Sequence, residues 1–277
     1  MILTAGMNDS NFAWHGVQPQ MSEAGRVCSW DRAGVGFSDA SPEVQDTQHV
    51  EKDLEDWLYV ADITGPFIMV GHSMGSFERM VFAERQRSNI VGIVLVDPSY
   101  PGQVAELAKA SPRFFGGAVP AMMSAALENW RGCVRELSDN LPDKPLCDRS
   151  NQPTDPFYAP VETVNQARLS DAASRQNQLS LMEQFDTADA EQVAKALTDF
   201  GDMPLIVLTA DVSLPPDFVD EQPAVRAAWM ALHDRYADLS DKGVNRLVEG
   251  SEHYIFWTHP EAVIGAVNEI RDRTTSP

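Results

Sequence analysis

Six short apolar runs, separated by segments of helical length, constrain this chain more than any other feature of its sequence. They are MILTA (1–5), RVCSW (26–30), FIMVG (67–71), IVGIVLV (90–96), PLIVLTA (204–210) and NRLVEG (245–250). Most are almost continuously apolar, as strands are when both faces of their sheet are covered. Between them, helices are expected near 45–63, 75–87, 221–239 and 260–272; Pro260 and Glu261 supply a good first turn for the last one. Strands alternating with helices predict an α/β fold with a mostly parallel sheet.

Residues 101–200 break this rhythm. They contain no convincing strand, are rich in Ala, Met, Gln and Leu, and carry prolines at 112, 120, 142, 145, 153, 156 and 160. The reading is a helical cap inserted between two strands, irregular around 138–160, with the core formed by 1–100 and 201–277. The length of 277 residues fits one such domain. The formal net charge of −20 would repel nucleic acid and anionic membranes, and no run of apolar residues is long enough to span a bilayer.

FIMVG runs into Gly71-His72-Ser73-Met74-Gly75, a G-x-S-x-G, and then into an expected helix. A strand, this turn and a helix form the context a nucleophile elbow requires. Ser73 is the candidate nucleophile, and the Met74 amide at the helix start is a candidate oxyanion donor. A plain turn serine is the alternative. A second donor should follow an early strand, and in ILTAGMNDSNFAW the Met7 amide after Gly6 suits that role, with a helix carrying Trp14 expected next. The general base should lie after the last strand. His253 stands in a short loop there, whereas His259 precedes Pro260 and reads as a surface or capping residue.

Taken together, LTAGMNDSNFAW, VCSWDRAGVGFSD, FIMVGHSMGSF, IVGIVLVDPSYPGQ, PLIVLTAD and GSEHYIFWTHPEAV resemble the α/β-hydrolase fold superfamily, and within it the capped serine hydrolases. The resemblance runs from the first residues to about 268 and is weakest in the cap. The chain opens at what would be the third strand of the family, which leaves room for an N-terminal segment this sequence lacks. Of the three cysteines, Cys28 reads as a strand residue. Cys133 and Cys147 close a loop of about 15 residues, where a disulfide would contribute roughly 3 kcal/mol. Spacing alone leaves their pairing open. Members of this branch are commonly exported with paired cap cysteines, so the resemblance implies a disulfide here and an exported protein.

The acid departs from the family pattern. Alignment to the usual G-x-x-D after the penultimate strand puts Ser213 at the acid position, with Asp211 two residues early. The superfamily also places an acid after the strand that follows the nucleophile, and GIVLVDP has Asp97 there. Asp97 is preferred and Asp211 is the alternative; both keep the order nucleophile, acid, histidine. Dehalogenases and epoxide hydrolases of this fold need a carboxylate at the elbow, whereas serine suits acyl transfer. No cofactor or metal signature is present. The expected activity is hydrolysis of a small or medium carboxylic ester, with RFFGGAVPAMMSAALENW (113–130) contributing an acyl pocket or lid. The alternatives are a non-catalytic ligand-binding member of the fold, or a hydrolase of amide, lactone or C–C bonds.

Overall fold

Alternation along each strand sends successive side chains to opposite faces of the sheet. Phe67 and Met69, Ile93 and Leu95, Leu205 and Val207 share one apolar layer; Ile68 and Val70, Val94 and Val96, Ile206 and Leu208 share the other. The computed structural model describes residues 1–275 except 24, 148–157 and 212. Its six strands are β1 (Ile2–Thr4), β2 (Cys28–Ser29), β3 (Phe67–His72), β4 (Ile90–Val96), β5 (Leu205–Ala210) and β6 (Gly243–Val248). They form one sheet in the order β2-β1-β3-β4-β5-β6, with every pairing parallel.

The helices are α1 (Gln18–Ser22), α2 (Thr47–Val60), α3 (Gly75–Arg85), α4 (Gln103–Ala110), α5 (Val119–Ser138), α6 (Glu162–Leu169), α7 (Ala172–Gln184), α8 (Ala188–Ala196), α9 (Gln222–Ala237), α10 (Ile255–Thr258) and α11 (Pro260–Thr275). Leu54 of α2, Phe77 and Met80 of α3, Val193 of α8 and Tyr236 of α9 close the first layer. Met21 of α1, Phe256 of α10 and Val267 of α11 close the second. Helices α4 to α8 lie between β4 and β5, and no strand occurs among the described residues of 101–200. The irregular stretch expected at 138–160 falls partly on 148–157, outside the described residues. Cys133 and Cys147 stand at disulfide distance, with Cα atoms 4.8 Å apart, and Cys28 is free.

Three local expectations change. The second strand is two residues long rather than five, because it is an edge pairing only with β1. The last strand starts at Gly243 rather than 245. The helix expected around Trp14 is a single tight turn, Asn11–Trp14; Pro19, which has no N–H to continue the turn, lies in the first turn of α1, which opens at Gln18.

Candidate active site

Strand register brings the carboxyl ends of β1, β3 and β4 level with one another. Thr4 pairs with Gly71, and His72 pairs with Val96. Gly6, Ser73 and Asp97 therefore emerge side by side at one rim of the sheet. Ser73 has φ of 51°, a left-handed conformation that a side chain enters only under constraint. The constraint is visible in its neighbours. A Cβ on Gly75 would lie 2.5 Å from the Ala5 carbonyl oxygen, and one on Gly71 would lie 2.8 Å from that of Gly75. Only glycine lets helix α3 start this close to β1. Ser73 is half-buried, and its N–H donates to Val96 O at 3.1 Å.

Asp97 is fully buried and also left-handed, with φ of 40°. Its carboxylate accepts three hydrogen bonds. Oδ1 accepts from the Ala210 N–H at 2.9 Å and from Trp229 Nε1–H at 2.8 Å, and Oδ2 accepts from His253 Nδ1 at 2.6 Å. The His253 side chain remains 41% exposed, so Asp97 does not enclose the ring. Burial opposes the imidazolium, but the hydrogen bond and charge of Asp97, helped by the charge of Asp9, outweigh it and hold the His253 pKa above the ordinary histidine value. Burial also opposes the Asp97 carboxylate, yet its bonds to His253 and Ala210 and the nearby histidines keep its pKa low. No hydrogen bond joins Ser73 Oγ to His253 among the described residues.

Asp211 is engaged elsewhere. It accepts the Gly250 N–H at 3.1 Å and pairs with Arg226 at 3.2 Å, which braces the turn leading to His253. Ser213 is exposed. His259 ends α10 and lies next to the first residue of α11, with no hydrogen bond to Asp97 among the described residues. The structure thus brings Asp97 to His253 and leaves Asp211 and His259 outside that contact.

Met74 stands immediately before α3, where backbone N–H groups lack intrahelical partners. Around Met7, the buried Arg32 decides the backbone direction. Its guanidinium donates to Ala5 O at 2.7 Å and Gly6 O at 2.8 Å, and its Nε pairs with Glu78 of α3 at 2.6 Å. In a trans peptide N–H opposes C=O, so holding the Gly6 carbonyl toward Arg32 turns the Met7 N–H the other way. Neither the Met7 nor the Met74 N–H is used in a hydrogen bond among the described residues.

Several residues here were not read from the sequence. Asp9 accepts from Tyr158 at 3.1 Å and from Tyr254 at 3.2 Å, beside His253. Burial raises its pKa, and these hydrogen bonds and Arg32 oppose the rise. Trp229 holds Asp97 from α9, and no local pattern announces it. Arg32 did carry a signal, a charged residue wedged between an apolar strand and a glycine turn.

The model of the alpha/beta hydrolase family matches residues 1–266. An uncharacterized protein of Schizosaccharomyces pombe is 41% identical over 81 residues, which are 29% of this chain and 15% of that protein. Among solved structures, a loop variant of haloalkane dehalogenase DbeA from Bradyrhizobium elkanii superposes with a TM-score of 0.70 at 15% identity, covering 100% of this chain and 91% of that one. A thermophilic esterase from Thermogutta terrifontis gives 0.60 at 17% identity, covering 99% and 90%. With a six-stranded parallel sheet, a G-x-S-x-G turn at its rim and a family match over nearly its whole length, the chain belongs to the alpha/beta hydrolase family.

Proposed function

We propose that this protein is a serine hydrolase of carboxylic esters of small to medium acyl chain. The observation that carries the reading is the 2.6 Å contact between His253 Nδ1 and Asp97, at a rim where Ser73 occupies a strained elbow. Asp97 fixes the imidazole with Nδ1 protonated and leaves Nε2 as the base. Ser73 Oγ attacks the ester carbonyl carbon while His253 Nε2 takes its proton. The carbonyl oxygen becomes an oxyanion, and the Met7 and Met74 N–H groups stabilise it. The C–O bond to the alcohol then breaks, and the imidazolium returns its proton to the departing oxygen. Water, deprotonated by the same Nε2, attacks the acyl-enzyme and releases acid and free Ser73. Helices α4 to α8 serve as the lid over this centre.

A serine at the elbow excludes the alkyl-ester intermediate of a dehalogenase by the same chemistry, because that route needs a carboxylate nucleophile. The test pairs a fluorophosphonate probe with a panel of short- to long-chain esters. Wild type should label and hydrolyse; Ser73→Ala should do neither while keeping its circular dichroism spectrum. Retention of most activity in Ser73→Ala would reject Ser73 as the nucleophile.

A further inference from the structure

Next to His253 lies a cavity of about 200 Å³. Leu107 and Phe115 of the helical insertion, Ala210 at the end of β5, and Val225 and Trp229 of α9 form its apolar wall. His253 and Asp97 also line it. Ser73, Met7 and Met74 do not line it.

We infer that this cavity receives the alcohol half of the ester, and that the preferred alcohol is uncharged, apolar and compact. The inference rests on the ester-hydrolase reading. Acyl transfer divides the substrate between two places. The acyl carbon sits on Ser73 with its oxygen against the two amides, while the departing oxygen must lie within reach of the imidazole that protonates it. A pocket bordered by His253 and by none of the acyl-holding groups is on the departing side.

Size and charge narrow the class. At about 200 Å³ the cavity is smaller than the roughly 300–1,000 Å³ of pockets that enclose a whole small-molecule ligand, so it suits half a substrate rather than a whole one. The charges at the cavity are already matched. Arg226 pairs with Asp211 at 3.2 Å, and the Asp97 carboxylate is bonded to His253, Ala210 and Trp229. A carboxylate on the alcohol would have to compete with Asp211 for Arg226, and an ammonium with His253 for Asp97. Gln103 also borders the cavity and spends its Oε1 on the Tyr100 N–H at 2.7 Å, so its amide NH₂ is the polar group left to meet an ether or ester oxygen.

The experiment compares two ester series on the intact chain: acetates of methanol, butanol, hexanol, benzyl alcohol and decanol, and methyl esters of acids from acetate to decanoate. For the acetates, kcat/KM should climb about three- to fourfold per methylene buried until the alcohol outgrows the cavity, and should have fallen by decanol. Leu107→Phe, which narrows the cavity, should lower the ratio of hexyl to methyl acetate turnover at least about tenfold. Phe115→Ala, which widens it from a partly buried position, should move the optimum to longer alcohols and carries the test should Leu107→Phe lose the fold. If both variants instead change the acyl-length preference and leave the alcohol ranking alone, the cavity holds the acyl chain and the inference is wrong. A chain that labels with no fluorophosphonate and cleaves neither series overturns the ester-hydrolase reading and this pocket with it.

Discussion

Replacing Asp97 by asparagine tests the assignment of the acid, and the geometry sets how large the loss should be. Asparagine is nearly isosteric, so the fold has no steric reason to change. Its orientation is dictated from one side, where the Ala210 N–H at 2.9 Å and Trp229 Nε1–H at 2.8 Å both require an acceptor. The amide oxygen must take that side, and the NH₂ group then faces His253 Nδ1. A donor there forces Nδ1 to become the acceptor and places the ring proton on Nε2. The nitrogen that should take the proton from Ser73 is thereby occupied. Neutralising the acid of a Ser-His-Asp triad in this way costs about 10⁴ in kcat in the serine-protease case. The expectation here is a fall of about 10³ to 10⁴ in turnover, or roughly 4–5.5 kcal/mol of transition-state stabilisation. Because His253 must be neutral to act as base, the acid limb of kcat/KM in wild type should lie above pH 6.5, the ordinary histidine value that Asp97 helps it exceed. Removing the Asp97 charge should move that limb to lower pH even as the plateau drops. Steady-state kinetics from pH 4 to 9 on Asp97→Asn and Asp211→Asn measure both effects. Asp211→Asn should cost about tenfold or less, since Asp211 touches the turn before His253 and not the imidazole. If the two losses are reversed, the catalytic acid is Asp211 and the reasoning from Asp97's hydrogen bonds is wrong.

His253→Ala should reduce turnover by several orders of magnitude and His259→Ala only slightly, because triad members act as a unit; the opposite ranking in the same ester assay would reject His253 as the base. Thiol titration of denatured, unreduced protein should find Cys28 alone, and three reactive thiols would show that Cys133 and Cys147 are unpaired. His233 is fully buried between Thr209 and the Pro98 carbonyl, and burial pulls its pKa from 6.5 down to about 4. Between those values the unfolded chain binds a proton that the native state refuses, so native stability falls as pH drops from about 6.5 toward 4, by up to about 3 kcal/mol. Urea denaturation across that range should show a shallower dependence in His233→Gln; equal slopes would mean His233 does not contribute.

The sequence made the sheet legible because its central strands are buried on both faces. Runs such as FIMVG and IVGIVLV leave little alternative to a covered strand, and the structure places strands at Phe67–His72 and Ile90–Val96. The ends of the sheet were less legible. Cys28–Ser29 is half-exposed at an edge, and β6 is only partly buried along its length, so composition marks their limits weakly. The same contrast holds at the rim. Ser73 announces itself through Gly71 and Gly75, whose missing side chains permit contacts that are local in sequence. Trp229 acts on Asp97 across 132 residues, and Tyr158 reaches Asp9 across 149. Such partners depend on how α9 and the insertion dock, which no short pattern encodes. The choice between Asp97 and Asp211 lay in between. Both follow a strand directly, and what separates them spatially is the register of β4 against β5, which sets Asp97 beside Ala210 and sends Asp211 toward Arg226.

Three non-glycine residues with positive φ cluster at this rim, Asn8 at 60°, Ser73 at 51° and Asp97 at 40°. Each such conformation costs on the order of 1–3 kcal/mol and persists only where the surroundings over-determine it. For Ser73 the surroundings are backbone: its N–H is tied to Val96 O, and its carbonyl accepts the Ser99 N–H at 3.1 Å. For Asp97 they are backbone and side chain together, with its N–H on Leu208 O at 2.7 Å and its carboxylate on three donors. The Asn8 turn leans on Arg32, which grips the Ala5 and Gly6 carbonyls just before it and reaches Glu78 on the helix that follows Ser73. A buried ion pair of this kind adds little net stability, because desolvation offsets most of its attraction. Its effect here is geometric. One guanidinium joins the loop carrying the Met7 amide to the helix headed by the Met74 amide, so the two candidate oxyanion donors are held at a fixed separation by a group that touches neither of them.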